Sequence, residues 1–276
     1  AIRELEDSLG VAIFKRTPKG VNVTEQGKVF LAYAKNILAL MAEMEALAQP
    51  AAKKQKFDIS VPRASYISHA FTEFVRQLDN MQNMALNYYE TNSVRAMKNV
   101  ADSANNLAII RYQVAYENYF LQALAEHDLR YQQIWEFDYL ALMSQQHPLA
   151  NKPSLELADL SPYIEIVHGD LAVPSLPASE AKRLVMQKRA TKNISIYERG
   201  SQFELLVKVP TTYIWVSPVP QDILQRFSLT QKCCHVTDNR YKDLLIFRQG
   251  YKFSSYDELF LAELKKTVHA LTQASI

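Results

Sequence analysis

The chain has 276 residues, 48% of them hydrophobic and 22% charged, with 31 basic against 29 acidic side chains and a net charge of +2. That length suits one large or two moderate domains, each able to bury a core, and no stretch of about 18 uncharged apolar residues exists to span a bilayer. A charge balance this near neutrality says nothing about nucleic acid by itself, so distribution along the chain must decide.

The opening Ala1-Ile2-Arg3-Glu4-Leu5-Glu6-Asp7 carries too many charges for a signal peptide, and we expect a cytoplasmic protein whose natural start lies upstream of Ala1. Residues 1–27 hold three of the six glycines and form a compact, punctuated unit. Ile2, Leu5 and Leu9 keep helical spacing, and Gly10 stands where a helix C-cap needs a positive φ. Val11 to Phe14 and Val21-Asn22-Val23 are short extended pieces around Lys15-Arg16-Thr17-Pro18-Lys19-Gly20, which predicts a small basic hairpin. Thr24 is a good N-cap, with Glu25 near the positive end of the helix it opens.

Along that helix Phe30, Tyr33, Ile37, Leu40, Met44 and Leu47 recur at spacings of three and four, with Lys35, Glu43 and Glu45 between them. So narrow an apolar stripe predicts a coiled-coil seam, packed on a second copy of the chain or on the rest of this one. Residues 49–56 lose the period around Pro50 and predict a linker. From Phe57 onward strands and helices alternate, which predicts an α/β domain with largely parallel strands. Strands are expected at 57–61, 85–90, 107–110, 132–137, 139–144, 163–167, 193–197 and 213–217. Helices are expected after Ser65 and Ser93, around 119–125, at 154–160, 178–190 and 200–208. The second half repeats the order of the first, so two α/β halves joined by crossing strands should leave a cleft between them, where small ligands usually sit.

The run Ile2-Arg3-Glu4-Leu5-Glu6-Asp7-Ser8-Leu9-Gly10-Val11-Ala12-Ile13-Phe14-Lys15-Arg16-Thr17, continued by Gly20-Val21-Asn22-Val23-Thr24-Glu25-Gln26-Gly27, resembles the signature of LysR-type transcriptional regulators. The resemblance implies a fragment of a winged helix-turn-helix in residues 1–27, cut within the recognition helix, and a dimerising linker helix and hinge in 28–56. It implies a two-subdomain, periplasmic-binding-protein-like effector domain in 57–276. The implied partners are a double-stranded DNA operator, a small-molecule effector, anionic in one reading, and further copies of the chain in a dimer or tetramer, with no membrane. Arg3 on the helix and Lys15, Arg16 and Lys19 on the wing would then contact DNA, although Arg3, Lys15 and Lys19 also read as solvated charges and Arg16 as half of a surface ion pair.

In this family small effectors bind between the two halves. The turn after the first strand, Pro62-Arg63-Ala64-Ser65-Tyr66, would offer Arg63, Ser65 and Tyr66 at a helix N-terminus, where Ser65 is equally a plain N-cap. Thr91, Asn92 and Arg111 end the next strands, and Arg111 would suit a carboxylate. His168, with Gly169 and Asp170 beside it, and Ser201, followed by Gln202, are the corresponding residues of the second half. The loop 170–177 and the scarcity of glycine in that half depart from the family pattern, so no ligand identity transfers.

Catalytic constellations are missing from the sequence: no phosphate-binding Gly-x-x-x-x-Gly-Lys, no Gly-x-Gly-x-x-Gly, no Gly-x-Ser-x-Gly and no His-Glu-x-x-His. We expect neither an enzyme nor a metal or cofactor. Cys233, Cys234 and His235 are consecutive, so on a strand they alternate faces and cannot converge on one ion; two small residues of a buried strand are the simpler reading. A stand-alone solute-binding module is the competing reading, and the hairpin cations and the seam speak against it.

Overall fold

The computed structural model describes residues 2–18, 20–48, 55–78, 84–169 and 192–274. The expectations at Ala1, Lys19 and Asp170, at the linker residues 49–54, at the loop 170–177 and at the helix 178–190 lie outside the described residues, as do the side chains of Lys35, Glu43, Glu45 and Leu47.

Helix α1, Ile2–Leu9, stops at Gly10, whose φ of +66° only glycine adopts without strain. Strands β1, Phe14–Thr17, and β2, Gly20–Val23, form an antiparallel hairpin with Thr17 opposite Gly20. Helix α2 then runs Glu25–Ala48. The Thr24 hydroxyl both accepts from the Gly27 N–H at 2.8 Å and donates to the Ala12 carbonyl at 2.5 Å. One side chain therefore caps α2 and fastens it to the strand entering the hairpin.

The rest of the chain divides into two α/β halves. The first contains β3 (Gln55–Val61), α3 (Ser65–Gln77), β4 (Met84–Glu90), α4 (Ser93–Ala101), β5 (Leu107–Gln113), α5 (Glu117–Glu126) and β6 (Leu129–Asp138). The second contains β7 (Leu140–Ser144), β8 (Leu155–Glu156), α6 (Leu157–Leu160), β9 (Ile164–His168), β10 (Lys192–Ile196), α7 (Gln202–Lys208), β11 (Thr212–Val216), α8 (Gln221–Arg226), β12 (Leu229–Lys232) and β13 (Cys234–His235). The chain then returns to the first half as β14 (Arg240–Arg248) and α9 (Ser255–Ala274).

The two main sheets have the orders β4-β3-β5-β14-β6 and β10-β9-β11-β7-β12. Within each, four strands run the same way, while β14 and β7 run antiparallel to the neighbours on either side. The mixture, where the sequence predicts mainly parallel pairing, follows from the crossing: strands that leave one half and return from the other enter each sheet in the opposite sense. The crossing strands are clasped where they pass. Tyr139 N–H donates to the Asn239 carbonyl at 3.2 Å, Asn239 Nδ2 donates back at 2.8 Å, and the Tyr139 and Tyr241 rings stack with centroids 3.8 Å apart.

Packing explains the strand pattern. Leu107, Ala108, Ile109 and Ile110 of β5 are all buried, as expected of a strand with neighbours on both sides and helices on both faces. Phe57 on β3 meets Phe74 of α3 and Phe260 of α9 at centroid distances of 5.1 and 5.3 Å. Each such buried side chain contributes about 2 kcal/mol by area removed from water. Leu142, Ile166, Leu206, Ile214 and Leu229 form the corresponding core of the second half.

Two local readings change. The helix expected at 154–160 divides into β8 and the short α6, because Leu155 pairs with Cys234 and Asp159 closes a capping box on Glu156. The two cysteines are free, with Cys234 buried and Cys233 exposed, so only one of them is in the core.

Candidate functional site

At the N-terminal end, Arg3 lies exposed on α1, and Lys15 and Arg16 lie exposed on β1 opposite Asn22 and Val21. Adjacent strand residues alternate faces, so Lys15 and Arg16 project on opposite sides of the hairpin. The hairpin is braced from two directions. The Glu6 carboxylate accepts from the backbone N–H groups of Ile13 and Phe14 at 2.6 and 2.9 Å, tying α1 to β1. On the other side Gly27 brings α2 so close that a Cβ there would collide with the Ile13 backbone carbonyl. The Thr-Glu-x-Gly run thus has a physical reason: threonine caps and fastens, and glycine permits the approach.

The second candidate site lies between the two α/β halves, at the C-terminal ends of β3, β4 and β10. The first-turn residues behave differently from one another. Arg63 reaches across to donate from Nη2 to the Tyr197 carbonyl at 3.1 Å. Ser65 is buried, but α3 is capped at Ala64 without a side-chain bond, so the plain N-cap reading of Ser65 does not hold. Its hydroxyl instead accepts from Arg199 Nη2 at 2.7 Å. Tyr66 is wholly buried and gives its hydroxyl proton to the Asp243 carboxylate. Burial, and then the Asp243 charge, hold the Tyr66 hydroxyl far above its ordinary range.

Thr91 N–H donates to the Val61 carbonyl at 2.8 Å, and the Asn92 side chain caps α4 by accepting from the Arg95 N–H at 2.9 Å. His168 ends β9 half-buried, and Ser201 stands exposed on the turn before α7. Arg111 does grip a carboxylate with both arms of its fork, but the carboxylate is the chain's own Asp243. Nε donates to Oδ1 at 2.7 Å and Nη2 to Oδ2 at 2.6 Å, with the guanidinium 4.8 Å over the Phe137 ring. Its charge is thereby spent inside the fold: burial alone would lower its proton affinity, and Asp243 more than reverses that. Tyr66 and Arg111 form the support of the site rather than its lining.

The sequence reading missed the residue that closes the cleft. Arg199, on the turn Arg199–Ser201 after β10, crosses to the first half and donates from Nη1 to Glu90 Oε1 at 2.7 Å and to the Ser68 hydroxyl at 3.3 Å, besides its bond to Ser65. Glu90 is the last residue of β4. Both follow the rule that singled out Arg111, a charged residue where a strand ends, so the signal was present but shared by every strand end. A third link joins α3 to α8, with His69 Nδ1 3.5 Å from Asp222 Oδ2.

Among the described residues no group of three or more His, Cys, Asp or Glu is placed to hold a metal ion, and no helix is long and apolar enough to cross a membrane.

No family model matches the chain. A curated relative, an uncharacterized HTH-type transcriptional regulator YnfL of Escherichia coli, is 27% identical over 166 residues, 58% of this chain and 52% of the relative. The chain thus matches about half the length of that relative. Among solved structures, a full-length OxyR point variant from Pseudomonas aeruginosa superposes with a TM-score of 0.60 at 15% identity, over 96% of this chain and 83% of that one. The regulatory domain of MetR, a LysR family regulator from N. meningitidis, gives 0.52 at 13% identity over 79% and 95%. The effector binding domain of QuiR in complex with shikimate also gives 0.52 at 13%, over 79% and 99%. The fold is therefore that of these proteins, and the braced signature run agrees with it. The signature run, the regulator relative and the two-sheet fold all agree with the resemblance to LysR-type transcriptional regulators.

Proposed function

We propose that this chain acts as a LysR-type regulator, which binds a double-stranded operator through a winged helix-turn-helix to which residues 1–27 belong, and pairs with a second copy along the linker helix within 28–56. A small molecule bound between the two subdomains of 57–276 modulates that binding. The observation that carries the reading is the cross-cleft network of Arg63 and Arg199, polar side chains of one half held by the other at the ends of the strands. A ligand entering there must exchange these bonds for its own, and so changes the angle between the halves.

For the DNA-binding part, Lys15 and Arg16 are exposed on a hairpin held rigidly by Glu6, Thr24 and Gly27, which suits phosphate contacts that fix register. Arg3 and Lys19 complete the set proposed for DNA. The seam side chains Tyr33, Ile37, Leu40 and Met44 are each more than half exposed in the single chain, which supports self-pairing along α2. Within the cleft we assign ligand contact to Arg63, Ser65, Thr91, Asn92, His168 and Ser201, with Arg199 added.

Calorimetric titration of small molecules into the protein, followed by operator binding with and without the ligand found, tests this reading. A ligand whose binding is lost in Arg199→Ala and which shifts operator affinity supports it; binding that is indifferent to Arg63, Ser65 and Arg199 overturns it.

A further inference from the structure

Two arginine–carboxylate pairs lie near the junction of the halves, and they differ in kind. Arg111 and Asp243 are 7% and 0% exposed on adjacent strands of one sheet, so neither can change partner without unfolding that sheet. Arg199 and Glu90 are 15% and 21% exposed and come from different halves, so a change in the angle between the halves separates them. Admitting a ligand therefore leaves a cation on the second half and an anion on the first, both drawn from surroundings largely shielded from water.

The ligand must answer both charges. A simple anion satisfies Arg199 but sets its own charge against Glu90, and a simple cation does the reverse; either leaves one shielded charge unmatched, a costly state. A molecule carrying both signs leaves none. Resting on the effector reading above, we infer that the cleft takes a small zwitterion, an α-amino acid, whose carboxylate replaces Glu90 on the Arg199 fork while its ammonium replaces Arg199 on Glu90.

The surroundings fit each end. Arg199 offers a planar fork, and the Ser65 hydroxyl and the first turn of α3, freed from Arg199, add donors on the carboxylate side. On the ammonium side, the Tyr88 hydroxyl is buried without a hydrogen-bond partner among the described residues. Tyr88 stands two residues before Glu90 on β4, so the two side chains leave the same face of the strand, and burial, then the charge of Glu90, keep the hydroxyl protonated well above its usual range. Its oxygen is a ready acceptor for one ammonium N–H.

The test uses the full-length protein and matched ligands that differ only in charge. Each common amino acid is titrated beside its 2-hydroxy acid and its decarboxylated amine, as L-leucine beside 2-hydroxyisocaproate and isoamylamine, by thermal shift and calorimetry. We expect at least one amino acid to bind, with its hydroxy acid and amine each more than tenfold weaker. Glu90→Gln should weaken the amino acid more than tenfold and improve the hydroxy acid relative to it; Arg199→Gln should weaken both. A hydroxy acid or an amine binding as tightly as its parent amino acid overturns the zwitterion and leaves the effector reading standing. Failure of all three charge types to bind overturns both. The matched series is read on the unaltered protein, so it decides the matter even where a variant fails to fold.

Discussion

Arg111 and Asp243 face each other across β5 and β14, joined by two hydrogen bonds of 2.7 and 2.6 Å, and the same carboxylate accepts the Tyr66 hydroxyl. Asp243 is wholly buried, so its removal leaves the guanidinium without a counter-charge. We expect Asp243→Asn to destabilise the fold by about 3 to 5 kcal/mol, and a double change of Arg111→Met with Asp243→Leu to recover most of that loss. Urea unfolding of the two variants measures this; a single variant within about 1 kcal/mol of the parent, on the scale of an ordinary substitution, contradicts the structural role given to the pair.

Gly27 carries the approach of α2 to the hairpin. Replacing it with alanine drives a methyl group into the Ile13 carbonyl, a backbone atom that cannot rotate away. We expect Gly27→Ala to cost about 1 to 3 kcal/mol locally, the range of an overpacked contact. The measurable result is faster proteolysis in residues 10–27 and weaker operator binding, with ligand binding between the α/β halves unchanged.

His147 gives a pH-dependent stability. It is 3% exposed against the Tyr163 ring, its Nδ1 accepts from the Leu149 N–H at 3.0 Å, and burial lowers its pKa from 6.5 to about 4. The unfolded chain therefore binds a proton that the folded chain refuses between these values. Stability from this group is complete above pH 6.5 and falls as the pH drops towards 4. We expect a loss of order 2 kcal/mol across that window, absent in His147→Phe, seen as a smaller acid shift of the urea midpoint.

The α2 stripe makes a statement about assembly. Ile37 and Met44 are 58% and 69% exposed in the single chain, and one face of a lone helix rarely keeps so many apolar groups in water. Sedimentation of an Ile37→Glu, Met44→Glu variant should show self-association weakened at least tenfold, about 1.4 kcal/mol or more. Unchanged association would move the interface off this helix.

Much of the fold was legible because its signals are local. Gly10, Thr24 and the turn Thr17 to Gly20 announce themselves by backbone chemistry, and β3, β5 and β11 by apolar runs bounded by polar turns. The antiparallel β14 and β7 were not legible, since strand direction depends on where a distant segment returns. The site was half legible for the same reason. Strand ends can be found in sequence, which places Arg63, Ser65 and Arg111 near the junction. Which arginine finds an internal carboxylate depends on Asp243, 132 residues away from Arg111, and on Glu90, 109 away from Arg199. Arg111 was thus credited with a ligand role that its burial removes, and Arg199 was passed over.

The proposed function asks that the cations of the hairpin grip DNA. Binding to the DNA upstream of its own gene, measured across a salt series for the protein with any residues its gene encodes before Ala1, tests it most directly beside Arg16→Ala. We expect sequence-selective binding whose affinity falls steeply with salt. The log–log slope should shrink in the variant by about 0.9 for each phosphate no longer neutralised, and so by roughly twice that in a dimer. Absence of selective binding at every salt concentration, or a slope that Arg16→Ala leaves untouched together with Lys15→Ala, would contradict it.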